Sequence, residues 1–158
     1  MDREYVFSGE VKACKPEGKL SSGAIGSCIV VIMVSATPRI GAMAHIMLPG
    51  KAPNKESNTT KYTCNAINEL YNEMTKRGAL NKEIRTFIFG GANVLRDNNT
   101  DLPQSNIASV KSCLKELMLK IEKESVGGVA RREAVLYLKD MAITLSIGDS
   151  GEREFWKA

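Results

Sequence analysis

Cys28 ends the segment Ser21-Ser22-Gly23-Ala24-Ile25-Gly26-Ser27-Cys28, and the chain's single histidine, His45, follows within Gly41-Ala42-Met43-Ala44-His45-Ile46-Met47-Leu48-Pro49. A thiol becomes a useful nucleophile when a neighbour removes its proton, and the commonest group able to do so near neutral pH is an imidazole. The pairing to weigh is therefore Cys28 as nucleophile with His45 as general base, the glycines before the sulfur permitting a tight turn around it. The plainer alternative is a small packed thiol and a satisfied histidine, with Ser21, Ser22 and Ser27 hydrogen-bonding locally. A phosphate-binding loop is disfavoured, because the segment lacks the lysine that follows the last glycine of a P-loop.

Two strands must bring these residues together. Cys28 to Val34 is continuously apolar and rich in β-branched residues, which predicts a strand buried on both faces with Cys28 at its start. Thr37-Pro38-Arg39 turns the chain into a second strand, Gly41 to Leu48, and the short connection predicts a hairpin. Period-two alternation puts Met43, His45 and Met47 on one face. In an antiparallel pair the start of one strand lies near the end of the other, which would bring His45 beside Cys28.

The remaining elements supply the packing. Tyr5 to Lys15 reads as one half-buried strand or two short ones, and Pro49 to Thr60 as an exposed, mobile loop with the option of covering a substrate. Tyr62 to Lys76 carries Ala66, Ile67, Leu70, Tyr71 and Met74 at helical spacing, with Thr59 or Thr60 as N-cap and Gly78 as a stop. Ile84 to Phe89 predicts a strand ending at Gly90-Gly91-Ala92, and Asn106 to Glu124 a second amphipathic helix beside which Cys113 packs. Arg132 to Leu138 and Met141 to Ile147 read as paired strands, and residues 148–158 as a polar tail interrupted by Phe155 and Trp156. The expected architecture is α+β, a single layered domain over residues 1–158 with mixed β-sheets flanked by two main helices.

Composition narrows the function classes. With 158 residues, 43% hydrophobic and 25% charged, the chain is long enough to bury a core without disulfides. It has no apolar run of membrane-spanning length and no secretory signal at its start, so the expected address is the cytoplasm. The net charge of +4 arises from 22 basic and 18 acidic residues scattered along the sequence, without the basic clusters and interleaved aromatics of a nucleic-acid surface. Cys14, Cys28, Cys64 and Cys113 form no C-x-x-C pair and have one histidine between them, which disfavours structural zinc and favours free thiols.

Gly26-Ser27-Cys28, the Gly41-to-Pro49 strand and Phe89-Gly90-Gly91-Ala92, followed in order by Asn106 and Gly127-Gly128, together resemble the CheD family, chemoreceptor glutamine deamidases of bacterial and archaeal chemotaxis. The resemblance covers nearly the whole chain. It implies hydrolysis of selected glutamine side chains on methyl-accepting chemotaxis receptors to glutamate, with no metal or organic cofactor. By motif position it puts the family's cysteine on Cys28, its histidine on His45 and its threonine on Ser22. Serine keeps a hydroxyl able to orient the imidazole but lacks the methyl that restricts its rotamers. A second departure is Leu102-Pro103-Gln104-Ser105, where glycine and arginine are expected, and the spacing of Arg131 and Arg132 after Gly127-Gly128 is also displaced. The resemblance further implies a CheC-type phosphatase as partner. That leaves open an alternative in which the chain is mainly a regulatory binding module, and the same acyl chemistry leaves amidase or methylesterase action on other proteins open too.

Overall fold

The computed structural model describes residues 3–158. Among the described residues, ten strands and two α-helices make two five-stranded sheets and a helical layer. The hairpin expected around the site is the centre of one sheet: β4 (Ile29–Ala36) pairs antiparallel with β5 (Arg39–Ile46), in a register that sets Val30 opposite His45. On its other side β4 pairs with β6 (Arg85–Gly90), and β2 (Val11–Ala13) and β7 (Ile121–Val126) close the edges in the order β2-β5-β4-β6-β7.

Both faces of β4 are buried because each meets a different layer. Ile29, Val31 and Met33, with Ala42, Ala44 and Ile46 of β5, pack under α1 (Thr63–Thr75) and α2 (Asp101–Glu116) through Ala66, Ile67, Leu70, Met74, Val110 and Leu114. The alternate residues Val30, Ile32, Val34 and Met43 face the second sheet, meeting its Leu20, Ala134, Leu136 and Ile143. That sheet is ordered β1-β3-β8-β9-β10, built from β1 (Arg3–Tyr5), β3 (Lys19–Ser21), β8 (Arg132–Tyr137), β9 (Ala142–Ile147) and β10 (Arg153–Lys157). Each sheet holds one parallel pair, β1 with β3 and β6 with β7, so both are mixed. The α+β class with two main helices therefore holds. No helix among the described residues is long and apolar enough to cross a membrane.

Three boundaries differ from expectation. The second helix ends at Glu116 and not Glu124, because Met118 turns the backbone to φ 59° and the chain re-enters the sheet as β7. Ile121 continues the helical spacing of Leu114 and Leu117, which conceals the change; its charged neighbours Glu122, Lys123 and Glu124 suit an exposed edge strand equally well. The same helix begins five residues earlier, at Asp101, since Pro103 falls in its first turn, where a missing N–H costs no intrahelical bond. Residues 148–158 are not a tail throughout: β10 pairs with β9, and Trp156 and Phe155 lie 4.7 and 4.9 Å, centroid to centroid, from Phe87 and Phe89. Those aromatic contacts anchor an otherwise polar strand.

Candidate active site

Cys28 stands one residue before β4, in phase with Val30, and His45 stands near the end of β5, in phase with Met43. Both belong to the face of the central sheet that looks towards the second sheet. As Val30 and His45 are directly opposite, Cys28 is the diagonal neighbour of His45 at the open end of the hairpin.

Glycine fixes the Cys28 backbone. The Gly91 N–H donates to the Cys28 carbonyl at 3.0 Å, and a Cβ on Gly90 would fall 2.2 Å from that same oxygen, so β6 can approach this closely only without a side chain there. Gly90 and Gly91 also adopt φ of 109° and 68°, conformations glycine enters without penalty. From the helical side, the fully buried Asn106 donates its amide N–H groups to the carbonyls of Ser27, at 2.9 Å, and Met47, at 3.1 Å. One side chain thus ties the residue before the thiol to the strand end that carries the histidine.

His45 is 5% exposed and held on three sides. Its backbone N–H donates to the Glu10 carbonyl at 3.0 Å, and its carbonyl accepts from the Gly9 N–H at 2.8 Å. Nδ1 lies 2.9 Å from the Val6 carbonyl, an acceptor only, so Nδ1 carries the proton and Nε2 is left as the acceptor. Nε2 lies 3.5 Å from Ser8 Oγ. The same hydroxyl neighbours the Cys28 thiol and favours its ionisation, although burial, the larger effect, holds that thiol above its ordinary range. Burial also pushes the imidazole below its ordinary value, against weaker opposing effects from Val6 and Glu10. At neutral pH the pair rests as thiol and neutral imidazole.

Ser8 and the crossover Val6–Glu10, which passes from the edge of one sheet to the edge of the other over His45, have no counterpart in the sequence-based reading of the site. The available signal was the Ser8-Gly9 pair between two short strands, with Gly9 at φ 85°. The Ser22 hydroxyl donates to the Gly23 carbonyl at 2.7 Å and accepts from the Ala134 N–H at 3.0 Å. It fastens the turn leading to Cys28 against β8, while the ring contacts of His45 are with Val6 and Ser8.

Exposed apolar side chains flank the opening. Phe7, 64% exposed, stacks on Tyr5 beside Gly23, and across the turn Val94 packs towards Gly26 next to Leu95, which is 85% exposed. A cavity of about 250 Å³ lined by Ser27, Val94, Leu95, Asn99, Leu102 and Pro103 opens on that second side.

These features define a layered α+β protein with a thiol and a histidine brought together at the open end of a central hairpin. A family model described as CheD chemotactic sensory transduction matches residues 47–146, a segment that contains Asn106 but not Cys28, His45 or Ser22. The chain is 35% identical over 145 residues to a probable chemoreceptor glutamine deamidase CheD of Methanococcus maripaludis, covering 90% of this chain and 94% of that one. It is 32% identical to the chemoreceptor glutamine deamidase CheD of Thermotoga maritima, covering 80% of each, and 28% identical to that of Halalkalibacterium halodurans, covering 94% and 96%. The chain belongs to the CheD family.

Proposed function

We propose that this protein hydrolyses glutamine side-chain amides on chemoreceptor cytoplasmic helices to glutamate, with Cys28 as nucleophile and His45 as general base and acid. The observation that carries the reading is the unprotonated Nε2 of His45, which meets the Ser8 hydroxyl beside the Cys28 thiol while Nδ1–H is committed to Val6. Family membership and the activity for which the relatives are named supply the substrate class.

In this reading Cys28 Sγ attacks the δ-carbon of a glutamine side chain as its proton passes, through the Ser8 hydroxyl, to His45 Nε2. The imidazolium then gives that proton to departing ammonia, and a thioester remains. Water delivers a proton to Nε2 and its oxygen to the thioester carbon; collapse releases glutamate and restores the thiol. The oxyanion formed in each step requires backbone N–H donors, and those of Cys28 and the turn before it are the proposed ones. Depression of the imidazole pKa by burial keeps the base unprotonated at neutral pH. Ser22 contributes by holding the turn, through Gly23 and Ala134.

The receptor helices are proposed to dock over the apolar rim formed by Phe7 and Tyr5 on one side and Val94 and Leu95 on the other, in the cytoplasm. A CheC-type phosphatase is carried as a second partner, on the strength of the family resemblance. The test is ammonia release from a folded chemoreceptor cytoplasmic fragment. We expect release with the intact chain, none with Cys28→Ala, and a loss of roughly 10²–10⁴-fold with His45→Ala. Full activity in either variant would overturn the assignment.

A further inference from the structure

Two cysteines outside the site stand sulfur to sulfur. Cys64, in the first turn of α1, and Cys113, in the last turn of α2, have Sγ atoms 3.0 Å apart, and both are free thiols. They are 49 residues apart in sequence and meet where the two helices pack on each other over the central sheet. The S–S bond of a disulfide is about 2.05 Å long, so bonding asks for a closure of about 1 Å between side chains already facing each other. Cys14 and Cys28 are free thiols as well, and the polar groups that act on them are the Leu138 backbone and the Ser8 hydroxyl.

We propose that Cys64 and Cys113 form a reversible oxidation site, at which a hydroperoxide converts the two thiols to a disulfide that ties α1 to α2. Cys64 is the half-exposed member and takes the oxidant; Cys113 is buried. In the first step the Cys64 sulfur attacks one oxygen of the peroxide, the O–O bond breaks, and Cys64 sulfenic acid and one water (for hydrogen peroxide) are formed. In the second step the Cys113 sulfur attacks the Cys64 sulfur, the S–O bond breaks, and hydroxide leaves as water with the Cys113 proton. The balance is two thiols and one hydrogen peroxide to one disulfide and two waters, the sulfurs losing two electrons and the peroxide gaining them. Burial and the adjacent Cys64 sulfur push the Cys113 thiol up to about 12, so in the reduced pair Cys113 rests as the neutral thiol.

The position of the pair gives the bond a structural consequence. Cys113 lies seven residues, two helical turns, beyond Asn106 on one buried stripe with Val110, and Asn106 holds the carbonyls of Ser27 and Met47. On α1, the Cys64 N–H donates to the Gly50 carbonyl at 2.9 Å, in the loop that follows the His45 strand. A covalent tie at this point therefore braces both segments that carry the site.

The test treats the fully reduced chain with stoichiometric hydrogen peroxide, unfolds it in guanidinium chloride to block the remaining thiols with N-ethylmaleimide, and digests it without reductant. The expected result is one linked peptide joining Cys64 to Cys113. Both residues should lose labelling together and regain it with dithiothreitol, and Tm should rise by roughly 5–15 °C before reduction. Under the same dose Cys64→Ser should leave Cys113 as an unlinked thiol. Labelling of Cys64 and Cys113 lost independently, or linkages to Cys14 or Cys28 in comparable yield, would overturn the proposal. None of these readouts depends on deamidation, so the outcome is separate from that of the proposed activity.

Discussion

Cys28 and Cys113 are both thiols whose ionisation is opposed first by burial, yet their surroundings fit them for different chemistry. Beside Cys28 stands the Ser8 hydroxyl, which also meets the His45 nitrogen left as acceptor; beside Cys113 stands a second sulfur. Depth of burial therefore does not pick out the nucleophile. In the proposed assignment, what separates the two is a proton acceptor within reach through Ser8, and that follows from the tautomer the Val6 carbonyl imposes on His45.

The largest expected break in this comparison is at the base. His45→Ala removes the acceptor, and kcat/KM for deamidation should fall by roughly 10²–10⁴-fold. Cys113→Ser, at a thiol that is also buried, should leave most of the activity. Comparable losses from the two variants would mean that both act through the fold. Steady-state ammonia release, with circular dichroism to verify folding, separates the cases.

The next effect is at the support of the thiol. Gly90→Ala would bring a Cβ to 2.2 Å from the Cys28 carbonyl in a backbone already at φ 109°, and we expect a loss of roughly 2–4 kcal/mol in chemical denaturation. Gly127→Ala, at φ 82° with nothing within 4 Å of its Cβ, isolates the conformational cost and should lose about 1 kcal/mol. Equal losses at the two glycines would remove steric contact with Cys28 from the account.

A smaller effect sharpens the comparison at Ser8. Iodoacetamide alkylation of Cys28 should increase with pH, with its midpoint above the ordinary thiol value of about 8.5, because burial favours the neutral form. Ser8→Ala removes a hydroxyl that favours the thiolate, so the midpoint should move further up, while Ser8→Thr should restore it. Cys113 should stay unlabelled across the neutral range. An unchanged Cys28 profile in Ser8→Ala would exclude the hydroxyl from the thiol's protonation equilibrium.

The smallest effect is on stability against pH. His45 has a folded pKa below its unfolded one, so the stability it contributes is complete above about 6.5 and is lost as pH falls towards the folded value. Cys28 has the opposite sign: its contribution is complete below about 8.5 and is lost as pH rises through the raised folded value. Denaturation midpoints of wild type and His45→Gln should therefore converge on acidification. A constant difference from neutral to acidic pH would contradict the neutral, buried imidazole.

Much of this was legible in the sequence where one physical signal dominated. The apolar run from Cys28 to Val34 is a strand because both its faces meet apolar layers, and alternation along the Gly41-to-Leu48 segment assigned His45 to the correct face. Gly90-Gly91-Ala92 was readable as the end of a strand, though not the fact that Gly90 lies against the Cys28 carbonyl. The boundary of α2 was hidden because Ile121 fits both helical spacing and an edge strand, and β10 because two aromatics outweigh its polar residues. Ser8 carried no periodic signal at all. Its place over His45 depends on a crossover between two sheet edges, a long-range event fixed by Gly9 and Glu10 pairing with the His45 backbone. Ser22 illustrates the converse: its motif position was readable, but its partners, Gly23 and Ala134, are set by the packing of β8.

The most direct test of the Cys28 assignment is to trap the acyl group. A chemoreceptor cytoplasmic fragment incubated with the protein and hydroxylamine should yield glutamyl hydroxamate at the same positions that become glutamate without it, and neither product with Cys28→Ala, as read by peptide mass spectrometry. Glutamate formed at those positions by Cys28→Ala, or formed by the intact protein with no hydroxamate at any hydroxylamine concentration, would contradict a thioester on Cys28.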